Sequence, residues 1–218
     1  MLVFAMVAHE YAHAVVALQQ GDDTAYALGR VTLNPVPHID PWMSLLLPAL
    51  LWFGSNGQYT FGGAKPVPIN SRKFRNYRRG DILVSAAGVA TNFCLAFVWS
   101  LVFILLGLLS RVFPAGGAVL ETAQRMMVHG IWLNLLLCFF NLIPIPPLDG
   151  SHLVYHALPP NAGSWYRGLQ RFGYLPLFAL MFLFRPAMVF LLTPAIKMMS
   201  LLGGLIGPYQ VAAVPGLS

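Results

Sequence analysis

The chain of 218 residues is 57% hydrophobic and only 9% charged, and its mean hydropathy is +0.67. Soluble domains carry about 25% charged residues, so this composition excludes an ordinary soluble domain and predicts a membrane protein. Because no polar linker and no internal repeat divides the sequence, we expect a single membrane-embedded domain over residues 1–218.

The net charge of +6 does not indicate a nucleic-acid partner, because the basic residues are clustered. Six of the 13 lysines and arginines lie in one short loop: Lys65, Arg72, Lys73, Arg75, Arg78 and Arg79. Clusters of this kind favour the cytoplasmic side of a membrane, beside anionic headgroups. We therefore expect the lipid bilayer as a partner and this loop inside the cell.

The first predicted element is the apolar segment from Leu2 to Gln19, which contains the H-E-x-x-H motif His9-Glu10-Tyr11-Ala12-His13. Residues i and i+4 share one helix face, so both imidazoles can bind one metal ion, and Glu10 can act on a water that the metal activates. Ionisable groups in so apolar a segment indicate function. The motif predicts a zinc hydrolase with its active site within the membrane.

Two short strands and one short apolar segment are predicted next. Leu28–Leu33 reads as a strand, and Tyr59–Phe61 could pair with it in a small sheet near the metal site. Residues 41–53 are apolar but too short to cross a membrane upright. They form either a re-entrant or interfacial piece or a helix that crosses.

The rest of the chain contains the longer apolar segments. We expect a spanning helix over residues 82–113, a second helix over 123–142, and a polar loop over 150–171. Residues 172–206 are interrupted by prolines, which predicts two short helices or one kinked helix. The expected fold class is an all-α polytopic membrane protein, a bundle of about four to six transmembrane or re-entrant helices with a small β-element near the metal site.

A third metal ligand is required, because catalytic zinc usually takes three protein ligands and leaves one position for water. Asp149 stands out, since it follows a proline-broken helix end in an apolar stretch where a carboxylate needs a partner. Spacing alone leaves the other candidates open: His152, His156, His129 and His38.

Two motifs carry a family resemblance: His9-Glu10-x-x-His13 early in the chain, and Asn141-Leu142-Ile143-Pro144-Ile145-Pro146-Pro147-Leu148-Asp149-Gly150 late in it. Together they resemble the site-2 protease family of intramembrane zinc metalloproteases. Gly29–Pro35, His38–Pro41 and Gly63–Pro68 are similar to its small bacterial and archaeal members, which lack PDZ or CBS domains. The resemblance covers roughly residues 5 to 155.

The resemblance implies one zinc ion per chain bound by His9, His13 and Asp149, with Glu10 as general base and Asn141 as an oxyanion or substrate hydrogen-bond donor. The family's Gly-Pro-x-x-Asn motif appears here as Gly88-Val89-Ala90-Thr91-Asn92, which keeps Gly88 and Asn92 but loses the proline, and this weakens the match at Asn92. Many relatives have more hydrophobic sequence before the metal motif, so the amino terminus looks clipped.

The expected function is hydrolysis of peptide bonds in or near transmembrane segments of membrane proteins, in the plasma membrane of a prokaryote. The substrate helix must unwind, and one of the two predicted strands could hold it by β-addition. The alternatives are a membrane metallohydrolase with a non-peptide substrate, a protease-dead relative that binds transmembrane segments, and a transporter. Glu10 argues against a dead relative, and the absence of repeats in the sequence argues against a transporter.

Overall fold

A computed structural model describes residues 1–57, 62–113 and 116–211 of the chain. The chain divides into two compact units, one of residues 3–88 and one of residues 1–2 with 89 onward. Four helices are long and apolar enough to cross a membrane: Leu2–Gln20, Tyr77–Val112, Gly117–Asn141 and Arg185–Tyr209. The prediction of a helical polytopic protein is confirmed, with four candidate spans.

The first unit begins with helix α1 (Leu2–Gln20), which matches the first predicted element. The helix ends where Gly21 adopts a φ of +108°, a left-handed conformation that glycine adopts without a steric penalty. The amide of Gly21 donates to the Leu18 carbonyl, and that of Asp22 donates to the Ala17 carbonyl. These bonds close the carboxyl end of the helix and turn the chain toward α2 (Thr24–Ala27).

Alanines on α1 let other segments of the first unit pack closely against the helix that carries the motif. Ala14 packs with Ala25 and Val67 in one buried cluster. Ala17 packs with Phe74 and Val84 in another. Residues 62–70, which include Val67, have no regular secondary structure, and this irregular segment is thereby held beside α1.

In the sequence, a short apolar helix lies between α2 and the irregular segment over residues 62–70. A π-helical stretch, Pro41–Leu46, runs directly into α3 (Leu47–Gly54). Asp40 caps its start, where the carboxylate accepts hydrogen bonds from the amides of Trp42 and Met43. The whole segment is shorter than the four candidate spans, and whether it crosses the bilayer or re-enters it stays a prediction.

The predicted β-element is wrong, because the described ranges contain no strand. Residues 28–33 form turns and bends, with Gly29 at a φ of +65°. Local bonds satisfy this backbone: the amide of Arg30 donates to the Ala25 carbonyl, and that of Asn34 to the Thr32 hydroxyl. The alternation of side chains resembled a strand, but the local bonds fold the backbone into turns. The second predicted strand, Tyr59–Phe61, lies outside the described residues.

The second unit contains most of α4 (Tyr77–Val112), whose residues 77–88 belong to the first unit, and α5 (Gly117–Asn141). After them come α6 (Asp149–Ala157), α7 (Pro160–Arg167), α8 (Leu175–Leu183) and α9 (Arg185–Ile206). Its core joins side chains of α4, α5 and α9: Ala96, Phe103, Met127, Val128, Ile131, Leu135, Leu202 and Ile206.

Two predictions for the second unit have different outcomes. The block over 172–206 forms two helices, but only the first is short as predicted. Helix α8 ends before Arg185-Pro186, whereas α9 has 22 residues and continues through Pro194. The predicted polar loop over 150–171 is wrong: α6, α7 and the 3-10 helix Gly168–Phe172 occupy it. Proline is favourable in the first turn of a helix, so Pro160 helps to begin α7 rather than marking a loop.

Candidate metal centre

His9 and His13 lie one turn apart on α1, and their side chains converge as the helical spacing predicts. Their Nε2 atoms are 2.9 Å apart, and the two rings meet edge to face with centroids 4.5 Å apart. Both side chains are buried. Two convergent imidazole nitrogens in an apolar setting form the kind of site that binds zinc.

The ring of His13 is oriented by the backbone of the first unit. Its Nδ1 donates a hydrogen bond of 2.7 Å to the carbonyl oxygen of Val84. A carbonyl only accepts, so Nδ1 must carry the proton, and in the neutral ring Nε2 then keeps its lone pair for a metal. Histidines that bind metals almost always donate their other ring N–H in this way, so the arrangement fits a metal ligand.

Gly88 provides the space beside the two imidazoles, a role that the sequence did not reveal. A Cβ at this position would lie 2.5 Å from His13 Nε2, 2.5 Å from His9 Cε1 and 2.6 Å from His9 Nε2. A side chain there would force the two imidazoles to shift. The available signal was the match of Gly88 to the glycine of the family's Gly-Pro-x-x-Asn motif.

Glu10 is the half-buried neighbour of His9, and one of its carboxylate oxygens is anchored. Its Oε2 accepts a hydrogen bond of 2.8 Å from the backbone amide of Val67. Val67 is buried in the irregular segment over residues 62–70. This bond restricts the rotation of the carboxylate, and nothing in the sequence indicated that Val67 would supply it.

Two further site residues suggested by the sequence lie in the second unit. Asp149 is half-buried and is the first residue of α6. Asn141 is the last residue of α5, and its Nδ2 donates a 2.9 Å hydrogen bond to the Leu137 carbonyl one turn earlier. His9, His13 and Asp149 offer the nitrogen and oxygen donors that zinc takes. Their roles as ligands stay predictions.

The alternative ligands have other surroundings. His38 is buried, with Nε2 bonded at 3.0 Å to the Thr32 carbonyl. His129 is exposed on α5, and its Nδ1 lies 2.7 Å from the Arg125 carbonyl. His152 and His156 are half-buried on α6, the helix that Asp149 begins. Those two histidines remain the competing candidates for the third ligand.

Asn92 is fully buried on α4, and neither its Nδ2 nor its Oδ1 has a hydrogen-bond partner among the described residues. A buried amide that makes no hydrogen bond costs about 1–3 kcal/mol. Asn92 lies one turn after Gly88, so the two residues share a face of α4.

The class defined by these features is a membrane metalloprotease, with an H-E-x-x-H helix among helices apolar enough to span a bilayer. Residues 108–183 match peptidase family M50. The chain is 38% identical over 176 residues to YwhC of Bacillus subtilis, whose name describes a candidate zinc metalloprotease; the match covers 80% of this chain and 74% of that protein.

Proteins named Rip2, also described as candidate zinc metalloproteases, match as well. That of Mycolicibacterium smegmatis is 29% identical over 87% of this chain and 64% of its own length. That of Mycobacterium tuberculosis is 34% identical over 70% of this chain and 52% of its own length. No solved structure matches the chain. The chain belongs to peptidase family M50, the site-2 proteases, as its motifs predicted.

Proposed function

We propose that this protein is an intramembrane zinc metalloprotease that hydrolyses peptide bonds in or near transmembrane segments of membrane proteins. The observation that carries the proposal is the convergence of His9 and His13 beside an anchored Glu10, on a helix apolar enough to span a membrane. Family membership supports the reaction class. The apolar surroundings favour a substrate that is itself embedded in the bilayer.

His9, His13 and Asp149 are the residues that would hold one zinc ion per chain. The geometry of the histidine pair, the bond from His13 to Val84 and the space beside Gly88 support the two nitrogen ligands. Asp149 rests on the family motif and on the need for a third ligand. Zinc, when bound, polarises a carbonyl and lowers the pKa of water from about 15.7 toward 7.

Glu10 acts as the general base and then as the acid. It accepts a proton from the attacking water and passes it to the nitrogen of the leaving amine as the peptide bond breaks. The Val67 amide holds Oε2, so the carboxylate is oriented before substrate arrives. Its second oxygen can then face the reacting water without a rotation that would cost entropy.

Asn141 is the candidate donor to the oxyanion that forms at the scissile carbonyl. Its amide nitrogen has two N–H groups, and one of them donates to the Leu137 carbonyl. That bond fixes the amide plane at the end of α5 and aims the second N–H in one direction. A donor oriented in advance is worth about 10²–10³-fold in rate.

The substrate would be a transmembrane helix that unwinds locally, because a helix keeps its carbonyls hydrogen-bonded and hidden from attack. We place the protein in the plasma membrane of a prokaryote, with residues 72–79 on the cytoplasmic side. The clustered arginines of that segment and the bacterial relatives support this location.

The test is release of a soluble fragment from membrane-anchored reporters. A panel of single-span proteins, each fused to a fluorescent protein, is co-expressed in bacterial cells with wild type or with Glu10→Gln, and zinc per purified chain is measured for both. We expect equal zinc and fragment release only with wild type. Wild type that holds one zinc yet releases no more fragment than Glu10→Gln would overturn the proposal.

A further inference from the structure

The base Glu10 is held by a peptide unit with unusual neighbours. Val67 stands between Pro66 and Pro68, and proline has no backbone N–H. The amide of Val67 is therefore the single backbone donor of the tripeptide, and it donates to Glu10 Oε2 at 2.8 Å. Both prolines also restrict the backbone, which limits the directions that this N–H can take.

Arg30 forms hydrogen bonds on the carbonyl side of the same peptide unit. Its Nη2 donates to the carbonyl of Lys65 at 2.9 Å and to that of Pro66 at 3.4 Å. The Pro66 carbonyl and the Val67 N–H belong to one planar trans amide and point in opposite directions. A continuous chain of hydrogen bonds thus runs from the guanidinium through this amide to the carboxylate of Glu10.

A buried arginine is an unusual residue to bind the backbone of a loop. Arg30 is only 9% exposed, and a guanidinium stays charged in proteins. Burying that charge is costly unless directed bonds compensate, and Nε has no hydrogen-bond partner in the part of the chain that the structure describes. The two carbonyls before Val67 are therefore the partners that keep Arg30 in this place.

Other bonds hold the rest of the loop without Arg30. The amide of Gly63 donates to the Met43 carbonyl at 3.0 Å, and that of Lys65 to the His38 carbonyl at 2.8 Å. Further along, the amide of Asn70 donates to Asp22 Oδ2 at 2.6 Å. Arg30 is thus not needed to close the loop. Its distinct effect falls on the Pro66–Val67 peptide unit.

We propose that Arg30 is a positioning residue for Glu10, acting through the Pro66–Val67 peptide unit. The proposal rests on the proposed role of Glu10 as the base. The guanidinium fixes the tilt of the amide plane and polarises it, because hydrogen bonds in a chain strengthen one another. The Val67 N–H then holds Oε2 so that the carboxylate meets the attacking water in the right direction.

The test compares Arg30→Gln and Arg30→Lys with wild type, using purified full-length chains and the reporter that wild type cleaves fastest. We expect Arg30→Gln to lower kcat by about 10- to 100-fold, because misplacing a catalytic group by about 1 Å has effects of this size. KM, zinc per chain and the thermal midpoint should stay at wild-type values. Arg30→Lys should recover part of kcat, since an ammonium keeps the charge but lacks the planar fork.

A second measurement does not depend on activity. Between Pro66 and Pro68 only Val67 has an exchangeable backbone amide, so hydrogen–deuterium exchange reports directly on its bond to Glu10. We expect Val67 to exchange at least about 10-fold faster in Arg30→Gln than in wild type. The matched control is Arg72→Gln, which removes an exposed guanidinium of the same unit and should change neither exchange at Val67 nor kcat.

The outcomes separate this proposal from the proposed function. If wild type with one zinc cleaves no reporter, the function fails, and the exchange of Val67 alone tests the link from Arg30. If wild type cleaves and Arg30→Gln matches it in kcat and in Val67 exchange, only the role of Arg30 is overturned. Loss of zinc or of thermal stability in both Arg30 variants would make Arg30 a structural residue and would also overturn it.

Discussion

His13 and Val84 are joined by a hydrogen bond of 2.7 Å from the imidazole Nδ1 to the backbone carbonyl oxygen, across 71 positions of sequence. The bond ties α1 to the start of α4 within the first unit. It also presents the opposite ring nitrogen, Nε2, to His9. Binding of an ion to that nitrogen would therefore depend on how the two helices pack.

Zinc removal should lower the stability of the protein because of this link. A ligand that binds only the folded state at about 1,000 times its Kd stabilises it by about 4.1 kcal/mol. We expect a chelator to lower the thermal midpoint in detergent and added zinc to restore it. Thermal unfolding, with zinc per chain from elemental analysis, checks this outcome.

Alanine variants of the candidate ligands would identify the third zinc ligand. His13→Ala and Asp149→Ala should hold little zinc and lose the chelator effect, whereas His156→Ala should behave as wild type. If Asp149→Ala kept about one zinc per chain while His152→Ala or His156→Ala lost it, the third ligand would move to α6 beyond its first residue.

Gly88→Ala should abolish zinc binding without a general loss of helix stability. Its new Cβ would be 2.5 Å from His13 Nε2, closer than real contacts allow, so the imidazoles must move apart. Alanine otherwise favours a helix over glycine by about 0.8–1.0 kcal/mol. Zinc per chain and hydrolysis of the reporter should fall to background.

Gly204→Ala is the matched control, because nothing lies within 4 Å of a Cβ built at this position of α9. It should retain zinc and unfold at or slightly above the wild-type midpoint. Equal zinc in both glycine variants would mean that the histidines can rearrange, and the space beside Gly88 would have no role in the site.

The sequence allowed accurate prediction of the parts governed by short-range rules. Helical spacing predicted that His9 and His13 converge, and uninterrupted apolar runs predicted α1, α4 and α5. The contacts that orient the site were not predictable. Val84 and Val67 act through backbone atoms, which every residue has. The identity of their side chains therefore does not indicate these roles.

The two failed predictions have separate causes. Residues 28–33 alternate like a strand, but turn bonds around Gly29 and Asn34 satisfy the backbone locally. Residues 150–171 are polar enough to suggest a loop, yet they form amphipathic helices that begin at Asp149 and Pro160. Composition alone does not separate a polar loop from a half-exposed helix.

The exposed pair of Asp23 and Lys73 should make a small, pH-dependent contribution to stability. The hydrogen bond and charge of Lys73 hold the pKa of Asp23 below its usual 3.8, and Asp23 raises the pKa of Lys73 above 10.5. The contribution of Asp23 is therefore complete above pH 3.8 and is lost as pH falls through its lower folded-state pKa. That of Lys73 is complete below pH 10.5 and is lost as pH rises through its higher folded-state pKa.

Asp23→Asn, compared with wild type by thermal unfolding at pH 7 and at pH 3, isolates this pair. We expect a small decrease in the midpoint at pH 7 that shrinks at the lower pH and in high salt, since exposed ion pairs are weak and screened. A difference that grew as pH fell would contradict the assigned pairing.

Asn92 should be dispensable for stability. Its buried amide has no hydrogen-bond partner among the residues that the structure describes, so Asn92→Ala removes a desolvation cost of about 1–3 kcal/mol that offsets the cavity it leaves. We expect a thermal midpoint near that of wild type. Asn134→Ala is the control, because Asn134 is similarly buried and its Oδ1 also has no hydrogen-bond partner among the described residues, but its Nδ2 donates to the Gly130 carbonyl at 2.8 Å. It should lower the midpoint, because this hydrogen bond is lost with the side chain. If Asn92→Ala unfolded earlier than Asn134→Ala, Asn92 would be a packing residue with partners of its own.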